Sequence, residues 1–289
     1  MSLFYIFRRE VLSLSWVTNN LRSSLDIWNG KMNEIWTIVT QSPQTFKEGK
    51  IWAVMSNING ALQAVGFALL VLFFTVGIAR QFSNIAEVKK PEHALKLFIR
   101  FVLAKAVISY GMELMMAIFN IVQGVISKII STAGLSGANN TWLPQGIADA
   151  VDKCNWFDQI PLGAVAILGG LFIIVLSFIM ILTVYGRFFK LYLYTAIAPL
   201  PLSSFASQQT EHIGRSFIKS FIGVCLEGAI IVLACIIFNV FASSAPGVNT
   251  GDDVITMVWK YLGELLFNML VLVVTIKMSD RVVKEMMGL

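Results

Sequence analysis

Charged residues are scarce in this chain. Asp, Glu, Lys and Arg make up 13% of its 289 residues, whereas 56% of the residues are hydrophobic, and the mean hydropathy is +0.74. A soluble domain usually carries about a quarter charged residues. The chain therefore lacks the polar surface that water requires, and its composition predicts a protein that is surrounded by lipid.

Residue types that catalyse reactions or bind metals are also few. The three cysteines (Cys154, Cys225 and Cys235) have no CxxC spacing, and the two histidines (His93 and His212) are far apart in the sequence. This pattern predicts neither a disulfide framework nor a zinc site. The sequence contains no GxSxG, HExxH or Walker-type glycine motif. We therefore expect no catalytic residue, no metal and no cofactor, and a protein that is not an enzyme.

The sequence contains several long apolar runs. In the hydrocarbon core the backbone must satisfy its own hydrogen bonds, so each crossing is expected to be a helix of about 20 residues. Five spans are predicted, at about residues 61–79, 101–122, 162–186, 220–242 and 258–276. The predicted fold class is all-α, a polytopic membrane helix bundle over residues 61–289 with an outer loop at 123–161.

A further apolar segment, residues 188–206, contains Pro199 and Pro201 near its middle. Each proline removes a backbone hydrogen-bond donor. The segment is therefore either a sixth span or a re-entrant hairpin that enters and leaves the membrane on one side.

The distribution of basic residues decides between five and six spans, because cytoplasmic connections are enriched in Lys and Arg. With five spans, the connections on one side (80–100, 187–219 and 277–289) hold twelve Lys and Arg, against two in the opposite connections (123–161 and 243–257). Residues 1–60, which fall on that opposite side, carry six more. Six spans give seven on each side. We therefore predict five spans and a re-entrant segment, with the amino terminus outside and the carboxyl terminus in the cytoplasm.

Residues 1–60 form a separate amino-terminal segment that contains an amphipathic pattern. Apolar residues recur there at spacings of three and four, which is typical of one face of a helix: Trp28, Met32, Ile35, Trp36 and Val39. Because Trp suits the lipid headgroup boundary, we predict a helix over about residues 24–40 that lies on the membrane or on a partner. Packing against the protein's own helices is an equal alternative.

Four charged residues lie within the predicted spans: Lys105, Glu113, Glu227 and Glu264. Charged groups inside a membrane are costly and usually face a bundle interior or an aqueous path. These four are therefore candidate conduit residues, and the alternative is that they pair with other charges between helices or subunits. Glu227 is the strongest candidate, because the neighbouring turns of its own helix offer no cation.

The stretch from Tyr185 to Phe221 reads YGRFFKLYLYTAIAPLPLSSFASQQTEHIGRSFIKSF. This order of features resembles the TrbL-like inner-membrane proteins of bacterial type IV secretion and conjugation systems. The features are an apolar span, an Arg, an aromatic-rich segment ending in Ala-Pro-Leu, a polar link, a basic turn and another span. Arg187, Pro199 and Gly214 match the Arg, the Ala-Pro proline and the Gly-or-aromatic position of that pattern. Pro201 departs from it.

The resemblance implies a subunit of a cell-envelope machine that moves DNA or protein out of a bacterial cell or assembles a pilus. Such a subunit would form a homo-oligomeric platform or channel in the inner (plasma) membrane, beside other secretion-system membrane subunits and cytoplasmic ATPases, with transient contact to the translocated DNA or protein. The alternative from the residues themselves is a secondary transporter or channel subunit, since Pro-broken segments and interior acids are typical of transporter sites.

Overall fold

The structure, a computed structural model, describes residues 15–81, 91–133, 140–152, 154, 156–242 and 253–289. Helices are the only regular secondary structure in these ranges, as the predicted all-α fold requires. The helices are α1 Ser15–Thr40, α2 Lys50–Gln81, α3 Pro91–Ser109, α4 Gly111–Ala133, α5 Gln145–Asp152, α6 Trp156–Ile197, α7 Pro199–Leu202, α8 Glu211–Ala242 and α9 Val254–Met287. Two 3-10 helices, Phe46–Gly49 and Ser203–Ala206, precede α2 and follow α7.

Five helical segments of the described chain are long and apolar enough to cross a membrane: Phe46–Arg80, Gly111–Ala133, Ile160–Ile197, Glu211–Phe241 and Val254–Met287. Their number confirms the prediction of a polytopic helical bundle with five spans. The segments contain 23 to 38 residues, whereas a bilayer core needs about 20. Most of these helices are therefore longer than a single crossing requires.

The second predicted span, residues 101–122, is displaced toward the carboxyl end in the structure. The helix is interrupted at Tyr110, and the apolar segment begins at Gly111. Backbone hydrogen bonds still bracket the interruption, from Tyr110 N to Ala106 O and from Leu114 N to Tyr110 O, both 2.9 Å. The sequence around Tyr110 contains no proline or other residue that would have predicted this break.

Part of the predicted outer loop is helical. Its first residues continue α4 as far as Ala133, and α5 occupies Gln145–Asp152. Residues 134–139, 153 and 155 of this loop lie outside the described residues, as do residues 1–14 of the predicted amino-terminal segment.

The third predicted span and the first half of segment 188–206 form one helix of 42 residues, α6. The helix ends at Ile197. Ala198 keeps helical backbone angles (φ −48°, ψ −40°), but Pro199 has no N–H group with which to continue the hydrogen bonds of the helix. The chain then turns through α7 and the 3-10 helix, where Ser203 Oγ donates to Leu200 O (2.6 Å) and Ser204 Oγ donates to Pro201 O (2.7 Å). The two prolines thus shape a compact helical turn, and its position relative to the membrane stays a prediction.

The chain divides into two compact units. The first contains residues 1–39, 130–184 and 231–278, and in it α1 packs along α6. Trp16 lies against Gly163 and Ser24 lies against Gly170, and the Lys31 ammonium lies 5.8 Å from the ring centre of Phe178. These contacts advance in the same direction on both helices, so α1 runs parallel to this part of α6.

The apolar face of α1 is buried in this unit. The Trp28 side chain is fully buried, and its ring centre lies 6.1 Å from that of Phe238. Within the described residues the helix extends back to Ser15, nine residues before the predicted start. The predicted face is therefore correct, and its partners are the protein's own helices rather than a membrane surface.

The second unit contains residues 40–129, 185–230 and 279–289. Its core is built where α2 and α3 meet the end of α6 and the proline turn. Asn59 Nδ2 donates to Thr195 O (2.7 Å), and Arg100 forms an ion pair with Glu211. This unit also contains Arg187 and the segment of α8 that contacts it.

Candidate functional site

Arg187 of α6 is the largest buried charged side chain among the described residues, with 1% of its surface exposed. Its Nε donates to Val224 O and its Nη2 donates to Cys225 O, both at 3.1 Å. A buried charge is costly unless its donors are satisfied. The two carbonyl oxygens of α8 therefore offset part of the cost of burying the guanidinium, while Nη1 has no hydrogen-bond partner in the described part of the chain.

Gly228 provides the space in which the guanidinium lies. A Cβ atom at this position would come within 2.5 Å of Arg187 Cζ and Nη1, a distance that real side chains do not tolerate. Only glycine therefore lets the Arg187 side chain lie directly on the backbone of α8.

A second cation from the same face of α6, Lys190, joins three helices. Its Nζ lies 3.1 Å from Glu227 Oε1 of α8 and 2.9 Å from Asp280 Oδ1 of α9. Asp280 Oδ2 also accepts from Lys284 Nζ at 2.9 Å. Because the Glu227 side chain is buried, it depends on Lys190 to balance its charge. We call Arg187, Lys190, Glu227, Gly228 and Asp280 the polar junction.

Glycines surround the proline turn that follows the polar junction. A Cβ on Gly66 would lie 2.8 Å from Pro199 O, and a Cβ on Gly77 would lie 2.8 Å from Ser207 Oγ. A Cβ on Gly214 would lie 2.7 Å from Phe205 Cε2. The backbones of α2 and α8 therefore approach the turn closely, and Gly214, which the resemblance singled out, is one of the residues that permit this.

The four candidate conduit residues differ in their surroundings. Glu227 is buried and paired with Lys190, as the alternative of pairing between helices expected. Lys105, Glu113 and Glu264 are exposed. The structure thus separates Glu227 from the other three and does not bring the four together.

Sequence reasoning missed Lys190, Gly228 and Asp280. Lys190 was counted only among the basic residues of connection 187–219, and Asp280 was not considered, yet both residues lie on long helices. A usable signal was present, because Lys190 follows Arg187 by one helical turn and so shares its face. The spacing of residues within α6 could not identify α8 as the partner helix, because the contacting residues of α8 lie about 37 positions further along the chain.

The polar junction is suited to fixing helices in place rather than to reacting with a substrate. Its charged groups are used in contacts between α6, α8 and α9. In the described ranges, no three His, Cys, Asp or Glu side chains lie close enough together to hold a metal ion.

Comparison with known proteins gives one match. The chain matches the family described as TrbL/VirB6 plasmid conjugal transfer like protein over residues 28–199. No curated protein and no solved structure matches it.

The matched region begins in α1 and ends at the first residue of α7. It contains Arg187 and Pro199 but stops before Pro201 and Gly214, so the stretch from Tyr185 to Phe221 lies only partly within it. The match covers more than half of a polytopic helical chain, and it identifies a membrane component of conjugal transfer. The chain therefore belongs to the TrbL/VirB6 family of plasmid conjugal transfer like proteins.

Proposed function

We propose that the chain is a non-enzymatic platform subunit of a type IV secretion or conjugation machine. Several copies assemble in the bacterial inner membrane and form the wall or base of the site where DNA or protein is exported or a pilus is assembled. The observation that carries this proposal is the family match over residues 28–199 of a chain with five apolar helices.

The polar junction supports a platform rather than a moving carrier. A platform must hold its helices in a fixed relation, and buried charged groups are costly to separate from their partners. Arg187 holds α8 through two backbone carbonyls, and Lys190 holds α8 and α9 through Glu227 and Asp280.

Energy for export comes from partners in this proposal. The sequence has no Walker-type glycine loop, so cytoplasmic ATPases of the same machine supply the work. The proposed orientation, with the amino terminus outside and the carboxyl terminus in the cytoplasm, places the basic connections on the same side as those ATPases.

The transporter alternative depended on the Pro-broken segment and on interior acids such as Glu227. Because Glu227 contacts Lys190, that residue supports the platform more than a carrier. Uptake of a solute by purified protein in liposomes, lost in the Glu227→Gln variant, would instead favour a transporter.

An in-frame deletion tests the platform directly. In cells that carry the complete transfer system, deletion is expected to abolish plasmid transfer while the ATPases keep their wild-type amounts and activity. The unsubstituted gene and its Gly186→Ala variant, in which the new methyl group meets nothing within 4 Å, should both restore transfer. Normal transfer in the deletion strain contradicts the proposal.

A further inference from the structure

Helix α3 presents a continuous apolar face to its surroundings. Large exposed side chains recur there at spacings of three and four, and we call them the α3 stripe: Leu95, Phe98, Ile99, Val102 and Leu103. At 3.6 residues per turn, these five positions fall within about 140° of the helix circumference. Each side chain of the stripe is 46% exposed or more, so the described part of the chain leaves this face largely open.

The opposite face of α3 is attached to the second unit. The ring centre of Phe101 lies 4.7 Å from that of Phe74 of α2. Arg100 forms an ion pair with Glu211 at the start of α8, and Ile108 is fully buried. These contacts hold α3 in one orientation about its axis, so the α3 stripe faces away from the unit.

Two lysines border the α3 stripe, one on each side. Around the helix axis, Lys96 lies about 100° from Leu95 in one direction and Lys105 lies about 80° from it in the other. Both lysines are exposed, and neither forms an ion pair with another described residue. An apolar strip between two ammonium groups is typical of a helix that lies in the plane of a membrane, where lysine stems reach from the acyl chains to the headgroups.

A membrane crossing does not suit α3. Its 19 residues include four charged ones, and it is not among the five segments of the described chain that are apolar enough to cross. Helix α2 of the same unit is a candidate span and differs in this respect, since its only charged residues are Lys50 and Arg80 near its two ends.

The charge beside the α3 stripe indicates which surroundings it fits. A protein helix packed on the stripe would leave two ammonium groups beside an apolar contact, whereas anionic lipid headgroups would neutralise them while the stripe enters the acyl chains. Connection 80–100, which leads into α3, lies on the cytoplasmic side in the proposed orientation, and that leaflet carries a negative surface potential.

We propose that α3 lies in the plane of the inner membrane at its cytoplasmic surface. The α3 stripe contacts the acyl chains, and Lys96 and Lys105 bind anionic headgroups. This placement does not depend on export, and so goes beyond the proposed function.

The depth of spin labels on the full chain in vesicles tests the placement. The background replaces the partly exposed Cys154 with Ser. A nitroxide is attached at Leu95→Cys or Leu103→Cys, both 60% exposed in the unsubstituted chain, and at Val65→Cys or Leu72→Cys of α2 as the matched control pair. Only variants that still support plasmid transfer in the complete system are reconstituted, in vesicles of phosphatidylcholine and phosphatidylglycerol, so misfolded proteins are excluded.

Collision with oxygen and with a water-soluble nickel chelate gives the depth of each label. The two α3 labels should collide mainly with oxygen and lie at the same depth, whereas the control pair on a crossing helix should differ by up to about 10 Å. A difference near the helical separation of Leu95 and Leu103, about 12 Å, would mean that α3 crosses the membrane. Rare collision with both reagents would mean that protein covers the stripe, and frequent collision with the chelate would place it in water. Each of these three results overturns the proposal.

A second measurement tests the headgroup contacts. With a fluorophore at Leu103→Cys, brominated phosphatidylglycerol should quench more strongly than brominated phosphatidylcholine at the same mole fraction, since each lysine near the surface favours anionic lipid about fivefold. The Lys96→Gln/Lys105→Gln variant should lose this difference, and Lys50→Gln, at the other end of α2, should keep it. Equal quenching by the two lipids, or a difference that survives the double substitution, overturns the assignment of the headgroups to these lysines. Neither measurement bears on plasmid transfer after deletion, which tests the proposed function separately.

Discussion

The buried position of the Arg187 side chain requires glycine at residue 228. The guanidinium lies where any side chain on residue 228 would be, so Gly228→Ala must displace it from the Val224 and Cys225 carbonyls. Overpacking of this kind typically costs about 1–3 kcal/mol. We expect Gly228→Ala to lower the midpoint of thermal unfolding in detergent and to reduce plasmid transfer.

Gly186→Ala is the matched control for that substitution. Gly186 precedes Arg187 in the middle of α6, and an added Cβ there meets no atom within 4 Å. Because alanine is the better helix former, by about 1 kcal/mol, this variant should be as stable as the unsubstituted protein or more so. Equal stability of the two variants would contradict the role assigned to Gly228.

Lys190 and Lys284 both contact Asp280, but only Lys190 also contacts the buried Glu227. Lys190→Met leaves the Glu227 carboxylate without its cation, which costs about 3–5 kcal/mol for a fully buried pair. The cost here is expected to be smaller, because the Lys190 side chain is 40% exposed. Lys284→Met removes an exposed contact worth about 0–1 kcal/mol. Comparable unfolding midpoints for the two variants would show that Glu227 does not depend on Lys190.

The sequence predicted some properties of the charged residues but not their pairing. Glu227 was singled out correctly as unusual, because an acid in an apolar run is visible in one segment. Its partner was not, because Lys190 comes from another helix and lies beyond the end of the predicted third span. Pairing across helices depends on tertiary packing, which periodicity within one helix does not contain.

The position of α1 beside α6 can be tested by a disulfide. A Cβ on Gly170 would lie 3.5 Å from Ser24 Cβ, within the separation that a disulfide allows. Ser24→Cys combined with Gly170→Cys should therefore cross-link under mild oxidation. Ser23→Cys with Gly170→Cys should not, since Ser23 is on the exposed face of α1. Cross-linking of both pairs, or of neither, would contradict the packing of α1 on α6.

Because α2 approaches the proline turn closely, replacing Gly66 by alanine should affect stability more than replacing Gly60, which lies on the same helix. Gly66→Ala places a methyl group 2.8 Å from Pro199 O, a backbone atom that cannot move alone, whereas Gly60→Ala meets nothing within 4 Å. Overpacking should cost Gly66→Ala about 1–3 kcal/mol, measured as a lower unfolding midpoint, and Gly60→Ala should be neutral or stabilising. The reverse order would show that the turn does not pack on α2.

Helices were predictable from sequence because apolar runs and a helical period are local properties. The ends of the helices were not always predictable. The break at Tyr110 lies inside the predicted second span. The extension of α6 to Ile197 passes through Arg187 and Lys190, where the prediction ended the third span and began a separate re-entrant segment. Pro199 did mark the end of α6, since a proline has no N–H group to donate to the preceding turn.

At the scale of the whole molecule, composition and family agree. The five apolar helices and the TrbL/VirB6 match both describe a multi-pass membrane protein. The orientation rests on charge alone, with twelve Lys and Arg in the three connections assigned to the cytoplasm and two in the opposite ones. The proposed contact with cytoplasmic ATPases depends on that orientation.

Reporter fusions at Ser207 and Leu289 measure the orientation most directly. A reporter that is active only in the cytoplasm and one that is active only outside should both place Ser207 and Leu289 in the cytoplasm, which is the result for five spans with the proline turn returning to its own side. Export of the reporters at both Ser207 and Leu289 would show that the proline segment crosses the membrane as a sixth span and would contradict the proposed topology.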